Sequence, residues 1–280
     1  MSLQFVFGPS GGGKSYYLYE KIIEEAKKDR TKDFLLIVPE QFTMQTQKEL
    51  VERSKNHAIM NIDVLSFGRL AYRVFEEVGQ DARVVLDDEG KNLVLRKIAG
   101  ECEKDLKVFK GNLKKQGYIS EVKSVLSEFA QYGVDFERLD DFMKEVPPES
   151  YLHYKLDDIR TIYEKFEEYL SEKYITKEEM LDVLSDAVPY SDILKGSVVA
   201  MDGFTGFTPV QNRLIGELFS VCEKVMITVT MDGRENPYVY EHPYQIFALG
   251  KQMVTSLMKI AGEKKTEIEE PICLFERPVY

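Results

Sequence analysis

The segment that follows the first apolar run constrains this chain more than any other feature. Leu3–Phe7 has the apolar character of a buried strand, and it leads directly into Gly8-Pro9-Ser10-Gly11-Gly12-Gly13-Lys14-Ser15. These residues match the pattern G-x-x-x-x-G-K-[ST] without a gap. A helical pattern then runs from Lys14 to about Lys28. The order strand, glycine loop, helix predicts a phosphate-binding P-loop at the start of an α/β fold.

The chemistry of this loop accounts for each residue type in it. Glycines let the backbone curl so that its N–H groups face phosphate oxygens, and the N-terminus of the following helix adds positive dipole character. Lys14 would reach the β- and γ-phosphates, and the Ser15 hydroxyl would ligate Mg²⁺. The alternative is a flexible glycine-rich turn that happens to contain a lysine, and the complete spacing in its strand–helix context argues against it.

The loop therefore predicts that the whole segment Gly8–Ser15 binds a nucleotide together with Mg²⁺. The base of the nucleotide is poorly specified, because the chain starts only a few residues before the loop and no upstream segment is expected to supply a glutamine that reads adenine. ATP is taken as the default nucleotide. The loop by itself does not choose between a kinase, a transporter ATPase, a GTPase and a helicase.

The patterns along the chain predict three regions, at residues 1–84, 85–192 and 193–280. The first and third alternate apolar runs, such as Ile62–Leu65, with helical patterns, as buried parallel strands and their crossover helices do. The middle region shows only helical patterns, so the expected fold is α/β, a RecA-like parallel sheet split by an all-helical insertion. Ser66 and Thr208 are predicted helix N-caps, with Pro209 at a first helical position. Predicted helices include Thr43–Arg53, Glu89–Glu103, Ile119–Tyr132, Tyr154–Leu170, Lys177–Ala187 and Tyr244–Ala261.

Composition narrows the class of protein further. The 280 residues include 37 Lys+Arg and 48 Asp+Glu, a formal net charge of −11, with 44% hydrophobic residues. No apolar run approaches the roughly 18–20 residues of a membrane span, and the N-terminus lacks the basic region of a signal peptide. Cys102, Cys222 and Cys273 lie far apart and fit reduced thiols better than a disulfide framework, so a cytoplasmic protein is expected. The acidic balance argues against a small, wholly basic nucleic-acid-binding domain, but it leaves room for a local basic surface or a basic partner.

Asp202 is the best candidate for the second acidic element of a P-loop site. It follows the predicted strand Ser197–Met201, where an aspartate would hold Mg²⁺ through water. The next residue is Gly203, which has no side chain and cannot act as the general base that a hydrolase needs. The site is thus predicted to bind Mg-nucleotide and hydrolyse it slowly or not at all, unless Glu40 or Asp232 substitutes. The alternative is that Asp202 simply begins an Asp-Gly turn.

The segment around Asp202 resembles a known helicase motif. Ala200-Met201-Asp202-Gly203-Phe204-Thr205-Gly206-Phe207-Thr208-Pro209-Val210-Gln211 is similar to the second motif of UvrD-like superfamily 1 helicases, Asp-Glu-Phe-Gln followed six residues on by another Gln. Asp202, Phe204 and Gln211 match that motif. Gly203 and Thr205 replace its catalytic Glu and its Gln. After the strand Val225–Thr230, Asp232 matches an Asp of the next motif, but Gly233-Arg234 departs from it.

Other segments resemble one family in particular, the AddB subunits of bacterial AddAB helicase–nucleases. Ile37–Thr43 is similar to the motif after the second strand. Val64–Ala71 is similar to the family's "T/S-F-x-R-L-A" segment, and Phe129–Val134 to a part of its helical insertion. The resemblance covers essentially the whole chain in order, and the combination is more specific than any one motif.

This resemblance implies a subunit much longer than 280 residues, of which the chain would be the N-terminal helicase-like part. A second RecA-like domain and a C-terminal nuclease with a cysteine-bound iron–sulfur cluster would follow. The subunit would pair with AddA, the helicase motor, to resect DNA double-strand breaks for recombination, and its degenerate helicase fold would scan the single strand for the Chi sequence. Cys102, Cys222 and Cys273 do not match the cluster ligands and are not assigned to the cluster.

DNA contacts are expected on loops or helix starts after parallel strands, where ligands bind open α/β sheets. Phe67 could stack on a base. The alternative places Phe67 and Leu70 in the core, with Arg69 as a surface cation. The candidate positions are Gln41, Thr43, Ser66, Phe67 and Arg69.

Two other functions remain open from the residues alone. Gly8-Pro9-Ser10-Gly11 also resembles the start of guanylate kinases, which would make the chain a P-loop phosphotransferase, although Tyr16-Tyr17 follows Ser15 and no arginine-rich lid segment is present. The other is a non-catalytic assembly or DNA-scanning module that binds nucleotide only to stabilise its fold, which Gly203 favours.

Overall fold

The computed structural model describes residues 1–79, 83–112, 115–170 and 173–275. The chain forms two compact units. The first, called the sheet unit here, comprises Met1–Gln80 together with Leu181–Tyr280. The second, called the helical unit, comprises Asp81–Met180.

The strands and helices of the described residues follow in chain order. The strands are β1 (Ser2–Gly8), β2 (Phe34–Ile37), β3 (Ile62–Leu65), β4 (Val84–Leu86), β5 (Tyr174–Thr176), β6 (Val198–Met201), β7 (Lys224–Thr230), β8 (Glu267–Ile268) and β9 (Ile272–Cys273). The helices are α1 (Lys14–Lys28), α2 (Thr43–Arg53), α3 (Phe67–Val78), α4 (Asp88–Glu101), α5 (Gln116–Tyr132), α6 (Phe136–Glu145), α7 (Tyr151–Leu170), α8 (Lys177–Ala187), α9 (Pro209–Val221) and α10 (Ala248–Glu263).

The sheet unit is built on one parallel sheet with the strand order β3-β2-β6-β7-β1-β8, and β9 also pairs with β1. Every pairing in this sheet is parallel. Its inner strands are buried along their length, as parallel strands covered by helices are. The predicted mixed α/β fold with a parallel central sheet is confirmed.

The core forms because the apolar runs of the strands meet apolar faces of helices. On one side, Leu18, Ile22 and Ile23 of α1 pack against Val6, Leu36 and other strand residues in one buried cluster. Helices α9 and α10 contact β7 and each other. Fully burying one such side chain stabilises a fold by about 1.5–3 kcal/mol, so the strand–helix contacts are the main favourable contribution to folding here.

The sequence patterns did not predict the last two strands, which cover the outer edge of β1. Ser2 and Leu3 pair with β8, and Val6 and Phe7 pair with β9. Between these two stretches the Gln4 side chain donates a hydrogen bond to the Glu270 carbonyl (3.0 Å). Two-residue strands are too short to show any periodicity, which is why they escape prediction.

The prediction that the insertion is all-helical was wrong. Strands β4 and β5 of the helical unit form a parallel pair, with Val84 opposite Tyr174. Each has three residues, fewer than a periodic pattern requires, and their partners are far apart in sequence. Helix α6 was also missed, although Asp135 caps it by accepting a hydrogen bond from the Arg138 N–H.

A buried carboxylate organises the segment between α4 and α5. Asp158 of α7 is 1% exposed, and its oxygens accept hydrogen bonds from the backbone N–H groups of Lys107, Val108 and Phe109 at 2.7–2.8 Å. Three charge-assisted bonds satisfy a charge that would otherwise be costly to bury. They hold an irregular segment against the helices of this unit.

The last helix begins later than predicted, at Ala248 rather than Tyr244. Phe247 adopts a left-handed conformation with φ of 65°, which separates the preceding turns from the helix. In the part of the chain that the structure describes, no helix combines the length and the apolarity that crossing a bilayer requires.

Two glutamates of the helical unit interact through their carboxyl groups. Glu179 of α8 accepts hydrogen bonds from the Thr176 N–H (2.7 Å) and hydroxyl (2.9 Å). Burial, together with repulsion by Glu179 and a hydrogen bond to it, raises the pKa of Glu167 to about 7. Glu167 therefore keeps its proton in the fold at pH values where an unfolded chain has lost it.

This pair predicts a pH dependence for the helical unit. Because the folded pKa of Glu167 is raised, its stabilisation is full below the unfolded pKa of about 4.5 and is lost as the pH rises toward 7. We expect hydrogen exchange at α7 amides to accelerate between pH 5 and pH 8, after correction for the intrinsic rate. Glu167→Gln should flatten this dependence and Glu164→Gln, one turn away, should not. An unchanged profile in Glu167→Gln would contradict the interpretation.

Candidate functional site

The sequence-predicted site residues all follow strands of one parallel sheet. Because parallel strands end at the same edge, the loops after β1, β2, β3 and β6 converge there, and this carboxyl edge is where ligands bind open α/β sheets. The predicted residues at this edge are Gly8–Ser15 after β1, Gln41 and Thr43 after β2, Ser66, Phe67 and Arg69 after β3, and Asp202 after β6.

The glycine loop is a tight turn between β1 and α1. Gly11 and Gly13 adopt left-handed conformations with φ of 72° and 83°, which residues with a side chain rarely adopt. The Gly12 N–H donates to the Pro9 carbonyl at 3.0 Å. A Cβ at Gly12 would lie 2.8 Å from Pro9 Cδ, so this position has no room for a side chain. The conformation of the loop therefore depends on glycine at these positions.

Lys14 lies at the first position of α1, inside this loop. Its Nζ donates a hydrogen bond to the Pro9 carbonyl at 2.8 Å. Burial lowers the pKa of Lys14, and the negative charge of Asp202 partly offsets that effect. The charges of Lys14 and Asp202 therefore interact across the carboxyl edge of the sheet.

Asp202 is 6% exposed, and both of its carboxylate oxygens accept hydrogen bonds from hydroxyl groups. Tyr19 of α1 donates to Oδ2 at 2.8 Å, and Thr228 of β7 donates to Oδ1 at 2.6 Å. Side chains alternate along strands, so Asp202 and Thr228 share a face with Ala200 and Met226, which pack on the α1 side of the sheet. The negative charge is thereby buried with direct partners.

Ser15 lies four residues before Tyr19 on α1, and positions four apart occupy one face of a helix. Since the Tyr19 hydroxyl bonds to Asp202, the same face carries Ser15 toward the carboxyl edge. A serine hydroxyl and an aspartate carboxylate supply oxygen donors only, which is the donor chemistry that Mg²⁺ prefers. The residues present are therefore compatible with a magnesium–phosphate group.

Gly203 lacks a side chain and also has a left-handed backbone conformation. Its φ is +81°, in the left-handed region, and a Cβ there would lie 3.5 Å from Pro39 Cδ. A glutamate at this position would be strained by its conformation even though space is available. The position after Asp202 therefore favours glycine by its backbone conformation.

Asp232 was one of two residues considered as a substitute base. Its carboxylate accepts hydrogen bonds from the Arg234 N–H, Nε and Nη2 at 2.8–3.0 Å. The Arg234 side-chain bonds, with its backbone N–H and its charge, lower the pKa of Asp232 to about 2. A carboxylate with so low a pKa is a weak proton acceptor. The other candidate, Glu40, is exposed in the short turn Glu40–Phe42.

The candidate DNA-binding residues divide into exposed and buried ones. Gln41 and Arg69 are exposed. Thr43 is buried, and its hydroxyl donates to the Glu40 carbonyl at 3.0 Å. Ser66 is buried and caps α3 by accepting the Arg69 N–H at 3.3 Å, which confirms its predicted capping role.

Phe67 is 7% exposed and packs against two other rings. Its centroid lies 5.5 Å from that of Phe204 and 6.3 Å from that of Phe207, and those two rings are 5.2 Å apart. The three-ring cluster joins the start of α3 to the loop after Asp202. Sequence reasoning singled out Phe67 but missed this cluster, because aromatic spacing within one segment does not identify partners in another.

Sequence reasoning also missed Tyr19 and Thr228, although each carries a signal. Tyr19 lies one helical turn after the loop serine, and Thr228 is a polar residue inside the apolar run of β7. Neither signal identifies Asp202 as a partner without the sheet order.

The packing of Phe67 predicts a large difference between neighbouring substitutions. Phe67→Ala should lower the free energy of unfolding by roughly 3 kcal/mol, because a buried ring is replaced by a cavity. Arg69→Ala, an exposed position two residues on, should change it by less than about 0.5 kcal/mol. Urea titrations of both variants measure the difference. Equal small effects would show that the Phe67 ring is not part of the core.

Comparison with known proteins identifies the family to which this sequence belongs. The sequence matches the family described as "ADDB, N-terminal" over residues 5–279. It is 45% identical over 273 residues to the B subunit of the ATP-dependent helicase/deoxyribonuclease of Lachnoclostridium phytofermentans, covering 97% of this chain and 24% of that protein. The B subunits of the same name from Clostridium acetobutylicum (34% identity, 100% and 24% covered) and Thermoanaerobacter sp. (34%, 99% and 24%) are also similar. The chain spans about a quarter of the length of these curated relatives. The expected relationship to AddB is confirmed: the chain belongs to the family of AddB N-terminal regions.

Proposed function

We propose that this chain is the nucleotide-binding, helicase-like part of the B subunit of an ATP-dependent helicase/deoxyribonuclease. The complex would process DNA double-strand breaks for recombinational repair in the cytoplasm. The main support for nucleotide binding is the loop between β1 and α1. Its Gly11 and Gly13 adopt left-handed conformations, and Lys14 is the first residue of the helix that follows. The relatives are named as B subunits of an ATP-dependent helicase/deoxyribonuclease, which supports the assignment to such a complex.

In this proposal the sheet unit is a RecA-like P-loop fold. The residues from Gly8 to Ser15 hold the phosphates of ATP through backbone N–H groups, and Lys14 neutralises their charge. Ser15 ligates Mg²⁺ directly, and Asp202 holds it through water. Strand β7 lies between β1 and β6, so the loop and Asp202 follow strands that are two positions apart in the sheet.

The same site is proposed to hydrolyse ATP slowly or not at all. Gly203 occupies the position of the glutamate that activates water in the related helicases. Because Gly203 has φ of +81°, a glutamate there would not take up the usual conformation without strain. Asp232 is a poor replacement because Arg234 lowers its pKa to about 2, which makes the carboxylate a weak proton acceptor. The chain would then bind ATP as a stable ligand, with the motor activity supplied by an AddA-type partner.

Mg-ATP should therefore raise the melting temperature of this chain without being consumed. At a ligand concentration about 100 times Kd the expected stabilisation is roughly 2.7 kcal/mol. Lys14→Ala should remove the shift, and Lys27→Ala, an exposed lysine of the same helix, should retain it. Phosphate release should stay at background. A shift that survives Lys14→Ala, or turnover that depends on Lys14, would contradict this proposal.

DNA binding at the carboxyl edge is proposed to involve two exposed side chains, Gln41 and Arg69. Thr43, Ser66 and Phe67 then act indirectly, since their buried side chains shape the turns that carry the exposed pair. Arg69 offers a cation for the phosphate backbone, and Gln41 offers an amide for sugar, phosphate or base edges.

The double variant Gln41→Ala/Arg69→Ala should weaken binding of single-stranded DNA about tenfold, and it should reduce the slope of log affinity against log salt by about 1. Arg30→Ala is the matched control, since it removes an exposed cation before β2, at the opposite edge of the sheet. Fluorescence anisotropy over a salt series gives both quantities. A double variant that behaves like the control would exclude this surface.

A further inference from the structure

The two hydroxyl groups that bind Asp202 belong to residues outside the glycine loop and outside the motif around Asp202. Tyr19 is 4% exposed and Thr228 is 3% exposed. We propose that Tyr19 and Thr228 are positioning residues that hold the Asp202 carboxylate in the orientation needed to accept hydrogen bonds from the water shell of Mg²⁺. This inference rests on the proposed nucleotide site, and it assigns the metal dependence of that site to two further side chains.

The geometry fixes each oxygen of the carboxylate separately. Tyr19 reaches Oδ2 from α1 at 2.8 Å, and Thr228 reaches Oδ1 from β7 at 2.6 Å. Because the donors lie on two different elements, the carboxylate cannot rotate about its Cβ–Cγ bond without breaking one of the bonds. The backbone of Asp202 is held as well, since its N–H donates to the Ile37 carbonyl at 3.0 Å.

The Tyr19 hydroxyl itself has a defined direction. Its oxygen lies 3.5 Å from Thr46 Oγ1 of α2 and 2.8 Å from Asp202. A tyrosine hydroxyl has one proton to donate. The short bond to the carboxylate uses it, so any bond with Thr46 has the threonine as donor. Thr46 of α2, Tyr19 of α1 and Asp202 after β6 therefore lie in contact around one negative charge.

The two bonds also leave capacity on the carboxylate. Each oxygen of an ionised carboxylate can accept about two hydrogen bonds, and the structure assigns one hydroxyl to each. In the proposed site, water bound to Mg²⁺ would use the remaining acceptor positions. Partners of this kind around a metal site typically change metal affinity about 10–100-fold when they are removed.

A purely structural role would predict something different. If the two hydroxyl groups only satisfy a buried charge, removing them lowers the stability of the fold. It then changes the nucleotide affinity by the same factor with and without metal. A positioning role affects only the metal-dependent part of binding. The Mg²⁺ dependence of affinity separates the two roles, and it needs no turnover.

The experiment measures the affinity of a fluorescent ATP analogue for the chain, first with EDTA and then over a series of Mg²⁺ concentrations. We expect Tyr19→Phe to raise the Mg²⁺ concentration for half-maximal tightening about tenfold, with affinity in EDTA within about twofold of the unsubstituted chain. Thr228→Val should do the same, and Thr228→Ser, which keeps the hydroxyl, should restore the original dependence. Tyr17→Phe removes one hydroxyl from the same helix and should change neither quantity.

The outcomes distinguish this inference from the proposal on which it rests. If the unsubstituted chain binds no nucleotide, both are overturned. If it binds through Lys14 but equally well with EDTA and with Mg²⁺, nucleotide binding stands and the positioning role is excluded. The same exclusion follows if Tyr19→Phe and Thr228→Val weaken binding equally in both conditions. Should Tyr19→Phe fail to fold, as its circular dichroism would show, the Thr228→Val and Thr228→Ser pair decides the question.

Discussion

The position of β6 between β2 and β7 is the constraint on which the rest of the sheet unit depends. Its four residues pair with Phe34–Ile37 on one side and with Lys224–Ile227 on the other. The register places Met201 beside Ile37, so the chain leaves β6 at the level where β2 also ends. Asp202 is thereby carried to the carboxyl edge together with the loop after β1. Without these two ladders the glycine loop would have no acidic partner.

These ladders join parts of the chain that are distant in sequence. Strand β6 follows the helical unit, yet it pairs with a strand that precedes that unit. Contacts of this kind are slow to form because the entropy of closing a long loop opposes them. The helical unit has its own buried cluster, formed by residues of α4 to α7 and the segments between them, and its own buried anchor in Asp158. The sequence between the two parts of the sheet unit therefore contains a core of its own.

Local signals in the sequence predicted the parts of the fold that local interactions determine. The bounds predicted for β3, α2 and α8 match the structure, because each has a continuous apolar or amphipathic pattern with clear ends. Thr208 forms the expected cap and also a capping box with Gln211, since the side-chain donors and acceptors lie within three residues of each other. The short strands β4, β5, β8 and β9 were missed because their stability comes from a distant partner strand.

The same distinction applies to the candidate site. The glycine loop was predictable because its spacing and its flanking strand and helix are contiguous. The bond between Tyr19 and Asp202 was not, because it joins α1 to the end of β6 and requires knowledge of the strand order. The burial of Phe67 needed two rings from the loop after Asp202. The alternative that placed Phe67 in the core and Arg69 at the surface is confirmed, whereas no sequence pattern indicated that Thr43 is buried beside exposed Gln41.

The turn at Gly203 connects the two functions proposed for this edge of the sheet. With φ of +81° it turns the chain past Pro39, and Phe204 and Phe207 then meet Phe67 at the start of α3. The backbone path that leaves no unstrained position for a catalytic glutamate is therefore the path that forms the three-ring cluster. That cluster packs at the start of α3, the helix that carries Arg69, while Asp202, one residue before Gly203, keeps both of its hydroxyl partners.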